Sequence, residues 1–247
     1  MTDTTDIKDR AFASYVTTHL VPRKGAVTIE VLRTQAHRWD TCFARFLPKD
    51  TSARIVDIGC GAGSLVWWLH QRGYWAAEGV DLSAEQVAVA KALGVPNVRQ
   101  ADVSTFLAEA GGSLDVVFAR DVFEHFDRNR LVTLLDLIHS SLRIGGLLVF
   151  QVPNAESPFG GRIRYGDLTH ELAFTSASVS QLLLIAGFSE PRTFSVEPVV
   201  YGVKSFLRLL AWKGVQALYR LLIAIEVGGG VGAARIVSQN LIAVARR

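Results

Sequence analysis

Short apolar runs rich in β-branched residues alternate along this chain with longer stretches whose apolar positions recur every three to four residues. Ile55, Val56 and Ile58 form the first such run, and the spacing of Leu65 to Leu69 behind it is helical. Upstream, Val27, Val31, Leu32, Trp39, Phe43, Phe46 and Leu47 predict an amino-terminal helix over 26–47, ended by Pro48. Downstream the alternation continues. Helices are expected over 64–72 with Gly73 as stop, over 84–93 with Ser83 as cap, over 127–142 and over 176–186. Strands are expected through Gly79 and Val80 and over 98–100, 114–119, 147–152, 191–196 and 240–245, with Gly145 and Gly146 turning the chain before the fifth. Strands alternating with helices predict a single α/β domain over residues 1–247 whose first five strands are parallel.

The stretch R-I-V-D-I-G-C-G-A-G-S, from Arg54 to Ser64, carries the first chemistry. Glycines at Gly59, Gly61 and Gly63 let the backbone turn sharply and let a flat ligand lie against it, as in dinucleotide sites. Asp57 sets this loop apart, because a carboxylate at the strand's carboxyl end repels a pyrophosphate and favours an ammonium or sulfonium cation. A second acid, Asp81, closes the next strand 22 residues beyond Gly59, where a carboxylate can accept hydrogen bonds from both ribose hydroxyls. Cys60 reads as a small filler between two glycines, with no neighbouring base to make it a nucleophile.

D-I-G-C-G-A-G followed by an acid after the second strand resembles the glycine-rich motif of class I S-adenosylmethionine-dependent methyltransferases. The resemblance implies a Rossmann-like, mostly parallel seven-stranded sheet over a core of residues 53–200, the last strand (240–247) inserting antiparallel beside the fifth. It implies S-adenosylmethionine as cofactor, held by Asp57, Gly59, Cys60, Gly61, Gly63, Asp81 and Leu82. Asp102 and Val103 would meet the adenine, with helix capping by Asp102 a compatible role. Arg120 and Asp121 would line the same pocket, and Arg38 would reach the methionine end or stand solvated beside a core tryptophan, Trp39.

The segment after the fourth strand bears on the acceptor. The run V-F-E-H resembles small-molecule O-methyltransferases of the ubiquinone-biosynthesis type, and the Asn/Asp-Pro-Pro-aromatic run common to enzymes that methylate base or glutamine amino groups does not occur here. Glu124 and His125 either accept a proton near the methyl group or fix the strand-to-helix turn. Residues 154–169 form a long irregular loop, the signature of a substrate loop or lid, carrying Arg162, Arg164, Tyr165 and Asp167 as substrate contacts. A histidine before F-T and a following A-G-F resembles bacterial polysaccharide-modifying methyltransferases and makes His170 the first choice of general base, an imidazole of pKa near ~6.5. Its rival reading is a histidine that fixes the loop. Asp167 and His170 alone do not identify a metal, so none is expected.

Composition bounds the rest. The chain has 247 residues, is 49% hydrophobic and carries a formal charge of +3, too little to expect nucleic-acid binding. The first ten residues are polar and charged, so no secretory signal is expected, and two cysteines without framework spacing fit a cytoplasmic setting. Basic residues outnumber acidic ones 10 to 6 beyond Phe150. Much of that excess falls on a helical insertion over 201–233, where Lys204, Arg208, Lys213 and Arg220 stand among leucines and aromatics and glycines end the pattern. No run is apolar enough to cross a membrane. The insertion reads equally as an interfacial helix at the inner face of a membrane or as a pocket cap or homodimer surface. The functional expectation is methyl transfer to a hydroxyl of a sugar, lipid- or nucleotide-linked, or of a quinone or other small metabolite. The alternative is a scaffolding subunit that keeps the fold in a membrane-associated glycan-assembly complex.

Overall fold

A computed structural model describes Ala11, Ser14, Thr17 and Thr18, then residues 25–228 and 236–247. Helix α1 (Ile29–Cys42) opens the described fold, its N-cap Thr28 accepting from the Val31 amide, and a short turn at Ala44–Phe46 follows. Strands β1 (Ile55–Ile58), β2 (Glu78–Asp81), β3 (Val98–Gln100) and β4 (Leu114–Arg120) alternate with helices α2 (Ser64–Gln71), α3 (Ala84–Ala92) and α4 (Val103–Ala110). Then come α5 (Arg128–Ser141), β5 (Leu142–Pro153), α6 (Gly160–Arg164), α7 (Ser176–Ile185), β6 (Ser189–Ser195), α8 (Val203–Val227) and β7 (Asn240–Arg246). The strands make one sheet in the order β3-β2-β1-β4-β5-β7-β6, with β7 antiparallel to both of its neighbours. This is the class I methyltransferase topology expected from the glycine loop.

The period-2 geometry of β1 and β4 sorts their side chains onto two cores. Val56, Ile58, Val117 and Ala119 face the α5 and α7 side, against Leu131, Leu135, Ile138, Val179 and Leu183. Ile55, Val116 and Phe118 face the α1 and α2 side, against Trp39, Phe43, Leu65, Trp68 and Leu69. Each large side chain so buried contributes roughly 1.5–3 kcal/mol, enough to hold the central strand ends rigidly. Asp57 and Arg120 share the second face, since they alternate in phase with Ile55 and Phe118.

Several boundaries differ from those expected, each for a local reason. β5 begins at Leu142 rather than 147, because Leu142 already pairs with Leu114 and the ladder resumes at Val116 and Leu147 across an irregularity that takes in Gly145 and Gly146. β6 begins before Pro191; it is an edge strand, so the missing amide costs no ladder bond, and Glu190 adopts φ 51° where the register shifts. The loop after β5 contains the short helix α6. The amino-terminal helix is shorter than 26–47, and α8 runs unbroken through Gly214. Of the glycines expected to end that insertion, Gly228 (φ 82°) is the C-cap of α8, and Gly229, Gly230 and Gly232 lie outside the described residues.

Gly79 in β2 is closely packed: a Cβ there would lie 2.7 Å from Cys60 Sγ and 2.8 Å from Val66 Cγ2. Gly79→Ala is therefore expected to lower the unfolding free energy in urea by about 1–3 kcal/mol. Gly161→Ala, where nothing lies within 4 Å, serves as the control and is expected to change it by less than about 1 kcal/mol. Equal stability of the two variants would show that the Cys60 contact does not constrain β2.

Candidate functional site

The loop after β1 turns on three residues in the left-handed region, Gly59 (φ 65°), Gly61 (φ 56°) and Gly63 (φ 75°). At Gly59 a side chain is also excluded by space, since a Cβ would stand 2.5 Å from Val122 Cγ2. The loop is tied to β2 by the Cys60 amide, which donates to the Val80 carbonyl at 3.1 Å, and by the Gly61 amide, which donates to Asp81 Oδ2 at 2.7 Å. The Ser83 amide donates to Asp81 Oδ1 at 2.8 Å, so both oxygens are oriented while each keeps a second lone pair. Burial raises the Asp81 pKa, and these two amides pull it back.

Asp57 is fully buried, and neither carboxylate oxygen has a hydrogen-bond partner in the protein. Burial pushes its pKa up to about 7 against the pull of the Arg120 guanidinium, with Asp81 adding to the rise. Arg120 lies over the Trp39 ring at 4.6 Å, and both its Nε and the Trp39 indole nitrogen are buried without partners. Buried polar atoms left unpaired cost about 1–3 kcal/mol each, so this group is incomplete without a ligand. An acid and a guanidinium at adjacent strand ends, with an indole N–H from α1 beside them, fit the charged amino-acid end of S-adenosylmethionine, and the excluded side chain at Gly59 fits close approach of its backbone.

A cleft of about 1330 Å³ opens beyond the carboxyl ends of the strands. Of the residues singled out in the sequence, Arg38, Gly59, Gly61, Asp81, Leu82, Asp102, Val103, Arg120, Asp121, Glu124, His125, Arg162, Asp167 and His170 line it. Asp57, Cys60 and Gly63 do not; Asp57 is fully buried, Cys60 is 1% exposed and packs under the loop, and Gly63 is the N-cap of α2. Asp102 accepts from the Thr105 amide at 3.0 Å, so it caps α4 while still facing the cleft.

Asp121 is held at φ 57° by its own amide, which donates to the Gln151 carbonyl at 3.0 Å, and by Gln151 Nε2, which donates to Asp121 Oδ1 at 2.9 Å. Gln151 escaped the sequence reading, although a polar residue inside the apolar run L-L-V-F-Q-V near a strand's carboxyl end was the available signal.

Glu124, His125 and His170 meet within the cleft, each offering an atom within 4.8 Å of the others. Distant segments are joined because the Glu124 carbonyl accepts from the amides of Glu171 (2.7 Å) and Leu172 (3.0 Å). Glu124 is fully buried with both side-chain oxygens unpartnered, and burial raises its pKa well above that of a free carboxyl. His170 Nδ1 lies 3.1 Å from the Ile163 carbonyl, an acceptor only, so that nitrogen carries the proton and Nε2 faces Glu124 Oε1 at 4.0 Å. Thr169 Oγ1 donates to Asp167 Oδ1 at 2.6 Å and so accepts from His125 Nδ1 at 2.8 Å. Burial, reinforced by His170, lowers the His125 pKa to about 4, and burial lowers that of His170 as well. Both shifts favour the neutral imidazole.

The loop residues divide. Arg162 faces the cleft, whereas the Arg164 guanidinium donates to the carbonyls of His170 and Glu171, which makes it a brace for the loop. Tyr165 is 82% exposed and lies outside the cleft, and Asp167 is buried and turned to Thr169. The pair Asp167 and His170, on which the expectation of no metal rested, is thereby replaced by a trio, Glu124, His125 and His170.

Comparison with known proteins agrees with this geometry. A structure of an S-adenosylmethionine-dependent methyltransferase from Archaeoglobus fulgidus superposes with a TM-score of 0.63 at 20% identity, over 87% of this chain and 94% of that one. Phosphoethanolamine N-methyltransferase 2 from Haemonchus contortus, solved in complex with S-adenosyl-L-methionine, gives 0.59 at 17% identity, over 96% of this chain and 60% of that one. Trans-aconitate 2-methyltransferase from Deinococcus radiodurans is 36% identical over 111 residues, 43% of this chain and 40% of its own length. Ubiquinone biosynthesis O-methyltransferase from Rhizobium etli is 38% identical over 76 residues, 29% of this chain and 30% of its own. The chain thus spans less than half the length of these curated relatives. A methyltransferase domain family matches residues 31–189, and with the sheet order and the glycine loop between two acids this makes the chain a member of the class I S-adenosylmethionine-dependent methyltransferases.

Proposed function

We propose that the protein transfers a methyl group from S-adenosylmethionine to an oxygen of a small-molecule acceptor, with His170 taking the acceptor's proton. The observation that carries this reading is the imidazole of His170, its Nδ1 tied to the Ile163 carbonyl, in the same cleft that Arg120 and Trp39 line beside the buried, unpartnered Asp57. Asp57, Arg120 and Trp39 would hold the amino-acid end, Asp81 the ribose, and Asp102 and Val103 the adenine. Bound there, the cofactor supplies an electrophilic methyl on a sulfonium sulfur. His170 Nε2 would take the proton of the acceptor hydroxyl that receives the methyl, and the N–H so formed would face the Glu124 carboxyl. The larger part of the acceleration comes from alignment, which can supply roughly 7–11 kcal/mol.

Arg38, Arg120, Arg130, Arg162 and Arg208 line the cleft together with Asp81, Asp102, Asp121, Glu124, Asp167 and Glu197, so an acceptor's anionic group would be met by individual guanidinium groups rather than by a net positive field. The relatives named for trans-aconitate and ubiquinone biosynthesis, together with the V-F-E-H run, support a small metabolite; a sugar carrying phosphate meets the same charge requirement. The Glu124, His125 and His170 trio favours a second reading, in which the three groups hold a divalent cation that orients the acceptor's oxygens.

Cofactor binding requires Asp57 ionised, while the free protein holds its pKa at about 7. S-adenosylmethionine is therefore expected to bind roughly tenfold more tightly at about pH 8 than at about pH 6 by calorimetry, a dependence that Asp57→Asn abolishes along with much of the affinity. No binding by the folded protein would favour the scaffolding alternative. His170→Ala is expected to lower kcat by about 10²–10⁴ while leaving cofactor affinity within about twofold. Unchanged turnover would remove His170 as base, and activity lost on EDTA treatment and restored by a divalent cation would select the second reading.

A further inference from the structure

Helix α8 has two faces with different surroundings. Its 25 residues span about 37 Å at ~1.5 Å per residue. On one side Trp212 and Gln216 turn inward: Gln216 is 1% exposed and donates to the Glu197 carboxylate, and Trp212 lines the cleft. On the other, Val203, Leu207, Leu210, Leu218, Leu221 and Ile225 recur along one stripe at helical spacing and are 52–76% exposed. With ~100° between successive residues, Lys204 borders that stripe on one flank, with Arg208 behind it toward the cleft, and Lys213 and Arg220 border it on the other, Lys213 reaching the Glu197 carboxylate at 2.9 Å; Glu226, near the end, is the helix's one acid.

We propose that this outer face of α8 seats the protein on an anionic lipid surface, the leucines entering the headgroup boundary and the flanking Lys and Arg reaching the lipid phosphates. Charge selects the occupant. A second copy packed on the same stripe would set basic flank against basic flank, with Glu226 and the Glu197 that bonds Lys213 as the acids near them, whereas an anionic bilayer complements the helix's excess of basic residues, each cation that reaches the lipid adding about fivefold in affinity. No helix among the described residues is long and apolar enough to cross a membrane, so the helix lies on the surface. Because α8 also lines the cleft with Arg208 and Trp212, seating it would bring the cleft beside the lipid. This extension to an amphiphilic acceptor rests on the methyl-transfer reading, while lipid binding itself does not.

The test is co-sedimentation with vesicles of phosphatidylcholine carrying roughly a third phosphatidylglycerol, compared with phosphatidylcholine alone. The full chain is expected to pellet with the anionic vesicles and to be released by about 0.5 M salt. Leu207→Glu/Leu218→Glu/Ile225→Glu, all at exposed positions, is expected to weaken binding at least tenfold with an unchanged thermal melt and unchanged S-adenosylmethionine affinity. Lys204→Glu, which leaves the apolar stripe whole, is expected to weaken it about fivefold or more. The proposal is overturned if the unaltered chain stays in the supernatant with anionic vesicles, if the triple variant pellets as well as it does, or if light scattering shows a dimer that the triple variant dissociates.

Discussion

A carboxylate buried without a partner at the end of the central strand is the constraint around which this molecule is arranged. Asp57 lies at a position where every other side chain of β1 is apolar and enclosed, and no hydrogen bond offsets its burial. Such a group is retained at a cost to stability and makes physical sense only if a cation completes it. The surrounding features follow from that need. Three left-handed glycines keep side chains off the turn, Arg120 and Trp39 add unpaired donors nearby, and Asp81, on the adjacent strand, is oriented by backbone amides.

The second half of the site depends on a different device. Glu124 and His170 are 46 residues apart in the chain, and what joins them is main-chain bonding: the Glu124 carbonyl receives two amides from the segment just after His170. Thr169 and Asp167 then set His125, and the Ile163 carbonyl sets His170. The loop after β5 therefore acts mainly as a frame. Its arginines serve unlike ends, Arg164 on carbonyls and Arg162 on the cleft.

The cofactor half was legible in the sequence because its signals are local. A β-branched run, alternating glycines and an acid closing the next strand sit within thirty residues, and the backbone geometry they require leaves few other arrangements. The acceptor half was legible only in part. Glu124, His125 and His170 were recognised as chemically apt, but their meeting depends on a long-range contact that periodicity does not encode. Gln151 was hidden inside an apolar strand, and Arg164 and Tyr165 were read as substrate contacts because loop residues carry no pattern that says which way they point. Strand limits at β5 and β6 were missed where an irregularity and an edge position relax the usual rules for Gly and Pro.

The most direct measurement is a crystal structure of the protein with S-adenosylmethionine bound. The account predicts the ammonium and carboxylate of the methionine end beside Asp57, Arg120 and Gly59, both ribose hydroxyls on Asp81, and the methyl group turned toward His170. A cofactor lodged elsewhere in the cleft, or an Asp57 still without a partner when the cofactor is in place, would contradict it.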